Sequence, residues 1–404
     1  MSDFLQQWSE ATSTTLAYFW KALWAFCLGY VISSAIQIFV TRERMRKSMG
    51  DARVKSIGLG TFFGFISSSC SFAALAATRS LFKKGAGLIP SLAFLLSSTN
   101  LVIELGVVIS IFLGWQFIVG EYAGGVLMIL MMAGLVVLTR PKELVRNVRE
   151  RLHDEEGAET GEEASWKQKI CSRDAWGEVA SKYYMEWMMV WKDVTVGFTV
   201  AGIISAFVPK SFFQWLFIGT GGPDAASFGA TLEHALVGPI AAFFTFIGSM
   251  GNIPLAAVLF ANGVSFAGIM AFIFSDLIVF PVLRMNAKFY GWKMALYIAA
   301  IFFLCIVGTA LLMHWGFFAL GSLPEPMQDA SNGGNRLPID QTFWMNAGAL
   351  LLTLFFAWLA KSNGKSLGTS MAVGSGWIEK LLLILTVCAL LWLGGGLLVA
   401  FSAQ

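Results

Sequence analysis

The chain has 404 residues, 56% of them hydrophobic and only 13% charged, with a mean hydropathy of +0.68. A soluble globular chain carries roughly 25% charge, so this balance excludes an ordinary soluble domain and makes the lipid bilayer the first expected partner. The net charge of +3 implies no nucleic-acid partner, because the basic residues gather at the ends of apolar segments.

Residues 1–15 are polar and lack the basic start of a cleavable signal. Leu16–Val40 reads as the first span. Arg42, Arg44, Arg46, Lys47, Arg53 and Lys55 follow it, which the positive-inside rule places in the cytoplasm, with the N-terminus outside. The next apolar segment, 57–78, begins beside those cations and ends at Arg79, Lys83 and Lys84. Both ends read as cytoplasmic, so this segment is expected to be re-entrant, turning back near the run Ser67-Ser68-Ser69-Cys70-Ser71. Ala86–Leu113 then crosses outward and Tyr122–Thr139 returns to Arg140. Residues 1–139 form a first membrane repeat. Residues 140–190 form a cytoplasmic polar linker, with Trp176, Tyr183, Tyr184 and Trp187 marking an interfacial helix.

A second membrane repeat covers 191–320. Lys192–Phe217 crosses outward, 230–259 is re-entrant from outside, Val264–Leu283 returns to Arg284, Lys288 and Lys293, and Met294–Leu320 crosses out. Residues 321–341 are an external loop, and 342–404 hold two C-terminal transmembrane helices. The expected fold is an all-α polytopic membrane protein: about eight transmembrane helices plus two re-entrant or broken hairpins arranged as an inverted repeat. Ten full crossings is the rival count, but it would leave a basic loop outside. The expected location is the cell inner membrane.

The repeat is also visible residue by residue. A shift of 178 without gaps lays Gly60–Ser97 over Gly238–Ser275, with Phe65 on Phe243, Ser71 on Ser249, Phe82 on Phe260, Gly85 on Gly263, and Ala93-Phe94 on Ala271-Phe272. Paired repeats with polar interruptions point to a transporter's binding site.

Polar groups are costly in hydrocarbon and usually line a cavity or a path. On that ground Ser69, Cys70, Ser71, Thr99, Asn100, Asn252 and Pro254 are the candidate substrate path. Cys70 could meet a soft metal or metalloid, or could simply pack as a small buried residue. The neighbouring serines divide equally between cavity lining and close helix packing. In Gly248-Ser249-Met250-Gly251-Asn252-Ile253-Pro254, the glycines and proline are expected to break the helix and free backbone groups, with Asn252 in the gap. Glu104 and Asp276, one in each half, lie deep in predicted spans and are the candidates for proton coupling. Pairing with a cation or a helix end is the alternative for each. Glu233-His234 is expected at the interface, and His314 near a span end.

Five cysteines (Cys27, Cys70, Cys171, Cys305, Cys388) lack CxxC or metal-type spacing, so neither a disulfide framework nor a metal site is suggested. P-loop, HExxH and GxSxG motifs are absent, no cofactor is called for, and an enzyme is not expected. The blocks SSSCSFAALAATRSLFKKGA, AFLLSSTNLVIELG and GSMGNIPLAAVLFANGVSFAGIMAFIFSDLIVFP, with the trailing KFYGWKMA, resemble the predicted permease family related to ArsP. The resemblance covers about residues 15–320. It implies an efflux carrier, with trivalent organoarsenicals as the substrate class of ArsP itself. The second block of related permeases often reads CSxGNxP, but here Gly248 stands in the cysteine's place. The resemblance therefore implies a permease more strongly than it implies a thiol pair.

The expected function is secondary-type transport of a small molecule or ion past a mid-membrane site. Two alternatives stay open: a membrane-embedded thiol enzyme using Cys70 and His234, and a structural or assembly subunit that transports nothing. Substrate identity, direction, coupling ion and homo-oligomer formation are not fixed by the sequence.

Overall fold

The structure, a computed structural model, describes residues 3–39, 54–67, 71–83, 86–153, 172–220, 227–243, 249–325, 341–364 and 377–402. The described residues are overwhelmingly helical and contain no strand. In lipid, helices satisfy their own backbone groups, and this is the physical reason an apolar chain takes this form.

The first half comprises α1 (Asp3–Phe39), α2 (Val54–Ser67), α3 (Ser71–Lys83), α4 (Leu88–Asn100), α5 (Ile103–Phe112) and α6 (Trp115–Thr139). A connecting helix, α7 (Lys142–His153), precedes the second half. That half holds α8 (Arg173–Phe207), α9 (Lys210–Leu216), α10 (Phe228–Phe243), α11 (Ser249–Ala261), α12 (Phe266–Ile273), a 3₁₀ turn (Phe274–Leu277), α13 (Phe280–Tyr290) and α14 (Trp292–Ala319). Helices α15 (Gln341–Ser362) and α16 (Trp377–Ser402) close the chain.

Among the described residues, six helices are long and apolar enough to cross a bilayer, and two bent pairs, each turning by about 40°, bring the count to eight if each pair is one span. The bent pairs are α4–α5 and α12–α13. The sequence reading took both as plain crossings. The first breaks at Leu101–Val102, where α4 ends in Ser97-Ser98-Thr99-Asn100, and the second breaks after its 3₁₀ turn. Side chains that compete for backbone hydrogen bonds, together with the tighter 3₁₀ winding, account for both interruptions.

Element boundaries follow the 178-residue shift. Helix α3 starts at Ser71 and α11 at Ser249; α4 starts at Leu88 and α12 at Phe266. The turns between them repeat as well: Ala86 N–H donates to the Leu81 carbonyl at 3.1 Å, and Val264 N–H to the Leu259 carbonyl at 3.2 Å. Gly263 has φ of 92°, a conformation open to glycine.

Close helix packing depends on small residues. A Cβ on Gly64 of α2 would overlap the Phe94 carbonyl oxygen of α4, and one on Gly238 of α10 would lie 2.6 Å from the Gly268 carbonyl oxygen of α12. Long helices α1 and α8 pack along each other at the centre. The rings of Tyr18, Phe112 and Phe198 meet edge to face there, Tyr18 and Phe112 at 5.5 Å and Phe112 and Phe198 at 6.0 Å.

The segment carrying Trp176, Tyr183, Tyr184 and Trp187 forms the first part of α8, with Tyr183 buried in its length. Two expectations change. Residues 3–15, expected to precede the first span, belong to α1: Thr12 and Thr15 are buried, and Trp8 Nε1 donates to the Trp392 carbonyl at 3.0 Å. The expected break at Pro254 does not occur; Pro254 and Asn252 lie inside α11. Proline there leaves the carbonyl one turn earlier without its helical donor.

Helices α15 and α16 pack on α1 and α8. Asn346 accepts from Trp24 N–H at 3.0 Å and donates to the Trp20 carbonyl at 2.7 Å. A regular helix would bond those two groups to each other.

Candidate functional site

Two helix starts and one carboxylate define the site. Ser71 is the first residue of α3 and Ser249 the first of α11, so the two correspond across the repeat. Both hydroxyls donate to the same atom, Oδ2 of Asp276, at 3.0 and 2.8 Å. Asp276 lies in the 3₁₀ turn and is 1% exposed. Hydrogen bonds to an ionised group are shorter and stronger than neutral ones, so the pair fixes this carboxyl between the halves.

Ser71 belongs to α3 of the first repeat and Ser249 to α11 of the second, so a helix of each half is tied to one carboxylate oxygen.

Other buried polar groups gather at the two bends. Ser98 occupies in the first repeat the position that Asp276 holds in the second, and it is fully buried. Asn100 ends α4 and is 1% exposed. Its neighbour Leu101 and its own Cβ lie against Gly125 of α6. One turn earlier on α6 stands Glu121, fully buried. Glu121 and Asp276 lie on elements that touch, α6 and the 3₁₀ turn. Between them α6 presents Gly124 to Phe274 and Gly120 to Phe266 and Met270. Among the described residues, Asp276 Oδ1, both Glu121 oxygens, both Asn100 amide atoms and Ser98 Oγ have no hydrogen-bond partner.

Glu121 was absent from the sequence-based candidates because the span was started at Tyr122, leaving Glu121 outside it. The available signal was a single acid among Gly120, Gly124 and Gly125 at helical spacing. Such glycines let another segment approach the acid's face.

The remaining candidates separate. Ser69 and Cys70 lie outside the described residues, as does Gly248. Thr99 turns its hydroxyl back to the Leu95 and Leu96 carbonyls, both at 3.2 Å, so it serves its own helix. Asn252 is 1% exposed in the first turn of α11, near Ser249 in sequence. Pro254 is buried two residues on. Glu104, in the first turn of α5, packs its Cβ against Gly29 of α1, so tightly that a Cβ there would overlap it. It faces the α1 side, whereas Asp276 faces the serine pair.

His234 is fully buried rather than interfacial. Nδ1 accepts from Ser265 N–H at 2.9 Å, which makes Nε2 the donor to the Ile218 carbonyl at 3.0 Å. Both ring nitrogens are therefore engaged, so His234 is not free to act as the base that the thiol-enzyme alternative gave it. His314 is buried near the Phe266 ring. Among the described residues, no group of three or more His, Cys, Asp or Glu side chains is arranged to hold a metal ion.

The site is closed, since Ser71, Asn100, Asn252 and Asp276 are each at most 8% exposed. A polar, occluded core between broken helices is an arrangement suited to binding a small solute away from both aqueous faces.

A family model described as a predicted permease, ArsP_1, matches residues 7–315. The chain belongs to this predicted permease family. It is 34% identical over 323 residues to the protein named "Putative permease Rv2963" of Mycobacterium tuberculosis (strain ATCC 25618 / H37Rv), covering 78% of each chain. It is 26% identical over 129 residues to "UPF0718 protein YraQ" of Escherichia coli (strain K12), covering 32% of this chain and 37% of that one. No solved structure matches. The protein is therefore a multi-pass membrane permease, and of these two relatives the one that carries a functional name is named as a permease. The family match ends at residue 315, so α15 and α16 lie outside it.

Proposed function

We propose that this permease exports a small solute of metalloid, organoarsenical or soft-metal type across the inner membrane by secondary transport. The solute passes a mid-membrane site between two repeats of opposite orientation, residues 1–139 and 191–320. Ser71, Asn100, Asn252 and the backbone near Pro254 line the path, and Ser69 and Cys70, next to Ser71 in sequence, are assigned to it as well. Asp276 is the favoured coupling group, and Glu104 is the secondary candidate.

One observation carries this reading: repeat-related Ser71 and Ser249 meet on a single buried carboxylate oxygen. A carboxylate held by both halves changes its surroundings whenever one half moves against the other, and alternating access requires that linkage. Opposite orientation of the halves is supported by the basic clusters that end equivalent segments on different sides.

The test compares a deletion strain with strains carrying the wild-type or Asp276→Asn protein across metals and trivalent organoarsenicals. Wild type restores resistance to at least one compound, and Asp276→Asn loses that resistance at equal membrane abundance. Full resistance with Asp276→Asn would defeat the coupling role, and no change in resistance with wild type would defeat the substrate class.

A further inference from the structure

We propose that Glu121 and Asp276 hold one exchangeable proton between them, and that Glu121 carries it in the closed state. This rests on the reading of Asp276 as the coupling group and adds a second residue, from α6, that completes the site.

The asymmetry of hydrogen bonding assigns the proton. Asp276 Oδ2 accepts from two hydroxyls, an arrangement that supports an anion. Among the described residues, neither Glu121 oxygen accepts anything. An isolated buried carboxylate without donors is among the most expensive groups a protein can hold, whereas the neutral acid is tolerated. Two carboxylates that act on each other in a water-poor interior do not readily both stay charged. The lower-energy arrangement is one anion, at the atom with donors, and one acid, at the group without them.

The surroundings favour this assignment. Glu121 lies on a face of α6 that packs against α4, α5, α12 and α14. Helices α4 and α12 bring no ionisable side chain. Helix α5 brings Glu104, and the 3₁₀ turn brings Asp276. From α14 come Cys305 and His314, on either side of Thr309, which faces Gly124. Tyr122, next to Glu121, donates to the Val102 carbonyl at 3.2 Å. Among these groups no lysine or arginine faces Glu121, so no fixed cation neutralises the acid pair. A mobile cation is needed instead.

Two further features make the pair exchangeable rather than static. Asp276 Oδ1 has no partner among the described residues, so it is open to receive the proton that leaves Glu121. The unpartnered Asn100 amide, 1% exposed, lies against the same face of α6 at the Leu101–Val102 break and can donate to whichever carboxyl is charged. The step is simple in balance. The Glu121 O–H bond breaks and an Asp276 Oδ1–H bond forms. Glu121 then regains a proton from one side, and Asp276 afterwards releases its own to water on the side toward which it opens, so at most one of the two is charged at any point.

Infrared difference spectroscopy of the purified full chain in lipid nanodiscs tests the assignment without any substrate. A pH step should reveal a buried carboxylic-acid C=O band that shifts on exchange into heavy water. Glu121→Gln should remove the band, while Asp276→Asn should leave an acid band and shift its midpoint. Proteoliposomes loaded with a trivalent methylarsenical give the second readout. Glu121→Gln should lose uptake or release driven by a pH gradient by at least tenfold, yet keep downhill exchange. Retention of the band in Glu121→Gln overturns the inference, even if transport survives. A band that responds to NaCl and not to pH overturns it in favour of Na⁺. Absence of arsenical movement in wild type, with the band behaving as expected, removes the substrate class and leaves the proton site standing. Glu121→Asp, which keeps the acid, should restore the band and so separates loss of the group from loss of the fold.

Discussion

The hairpin turns of the two halves share one backbone hydrogen bond, Ala86 N–H to the Leu81 carbonyl and Val264 N–H to the Leu259 carbonyl, and differ in their fastenings. In the second half, Ser265 caps α12 by accepting from Gly268 N–H, and His234 secures Ser265 N–H from within the same repeat. The equivalent cap in the first half is Gly87, which has no side chain to offer. There the turn is held by α7, whose Arg149 donates to the Ala86 carbonyl at 3.1 Å and sits 5.3 Å over the Phe82 ring. One turn is self-contained, whereas the other borrows its support from the connecting segment. Duplication conserves backbone geometry because packing demands it, while the side chains that fasten it are free to diverge.

That contrast breaks most visibly at the fastenings. His234→Ala would remove a fully buried ring and leave the part-buried Ser265 N–H without its partner, a loss of about 1–3 kcal/mol. Arg149→Ala would remove an exposed contact worth about 0.5–1 kcal/mol. Thermal unfolding in detergent should therefore show a larger drop for His234→Ala, and hydrogen exchange in 81–87 should rise only for Arg149→Ala. Equal drops would mean the two turns are fastened alike.

A smaller effect sharpens the shared part of the frame. Ser71→Ala and Ser249→Ala each delete one hydrogen bond to Asp276, about 1.5–3 kcal/mol when the acceptor is charged. The two losses should agree within about 0.5 kcal/mol if the carboxylate is held symmetrically. Unfolding midpoints of the two single variants check this, and a clear inequality would show that one hairpin holds Asp276 alone.

The smallest effect falls on Ser98, the counterpart of Asp276. Its hydroxyl is buried without a partner among the described residues. Ser98→Ala should be neutral within about 0.5 kcal/mol, or slightly stabilising, because replacing an unpaired buried hydroxyl removes a desolvation cost. A large loss on the same melting assay would show that Ser98 does have a partner.

Much of the fold was legible because it depends on chain-wide patterns. Apolar length marked the spans, and the gapless shift that paired Ser71 with Ser249 also paired the starts of α3 and α11. The bends were hidden inside apolar runs, where Leu101–Val102 looks like any other lipid-soluble dipeptide. Pro254 misled in the opposite direction: it lies inside α11, where a proline early in a helix is tolerated at the loss of one bond. At the site, Ser71, Asn100 and Asp276 stood out as polar residues in apolar surroundings. Glu121 did not, because its placement one residue outside a predicted span made it look like an end group. Convergence of Ser71 and Ser249 on one atom could not be read from sequence, since it depends on distances between segments 178 residues apart.

Asn346 stands where α1 would otherwise close a turn on itself, bridging Trp20 and Trp24. A side chain wedged into a helical ladder is a recognised origin of bending. The axis of α1 is thereby tied to α15, a helix beyond both repeats. Tilting α15 pulls on the Trp20–Trp24 turn directly, so the tail of the polypeptide has mechanical leverage over the helix that runs along α8 at the protein's centre.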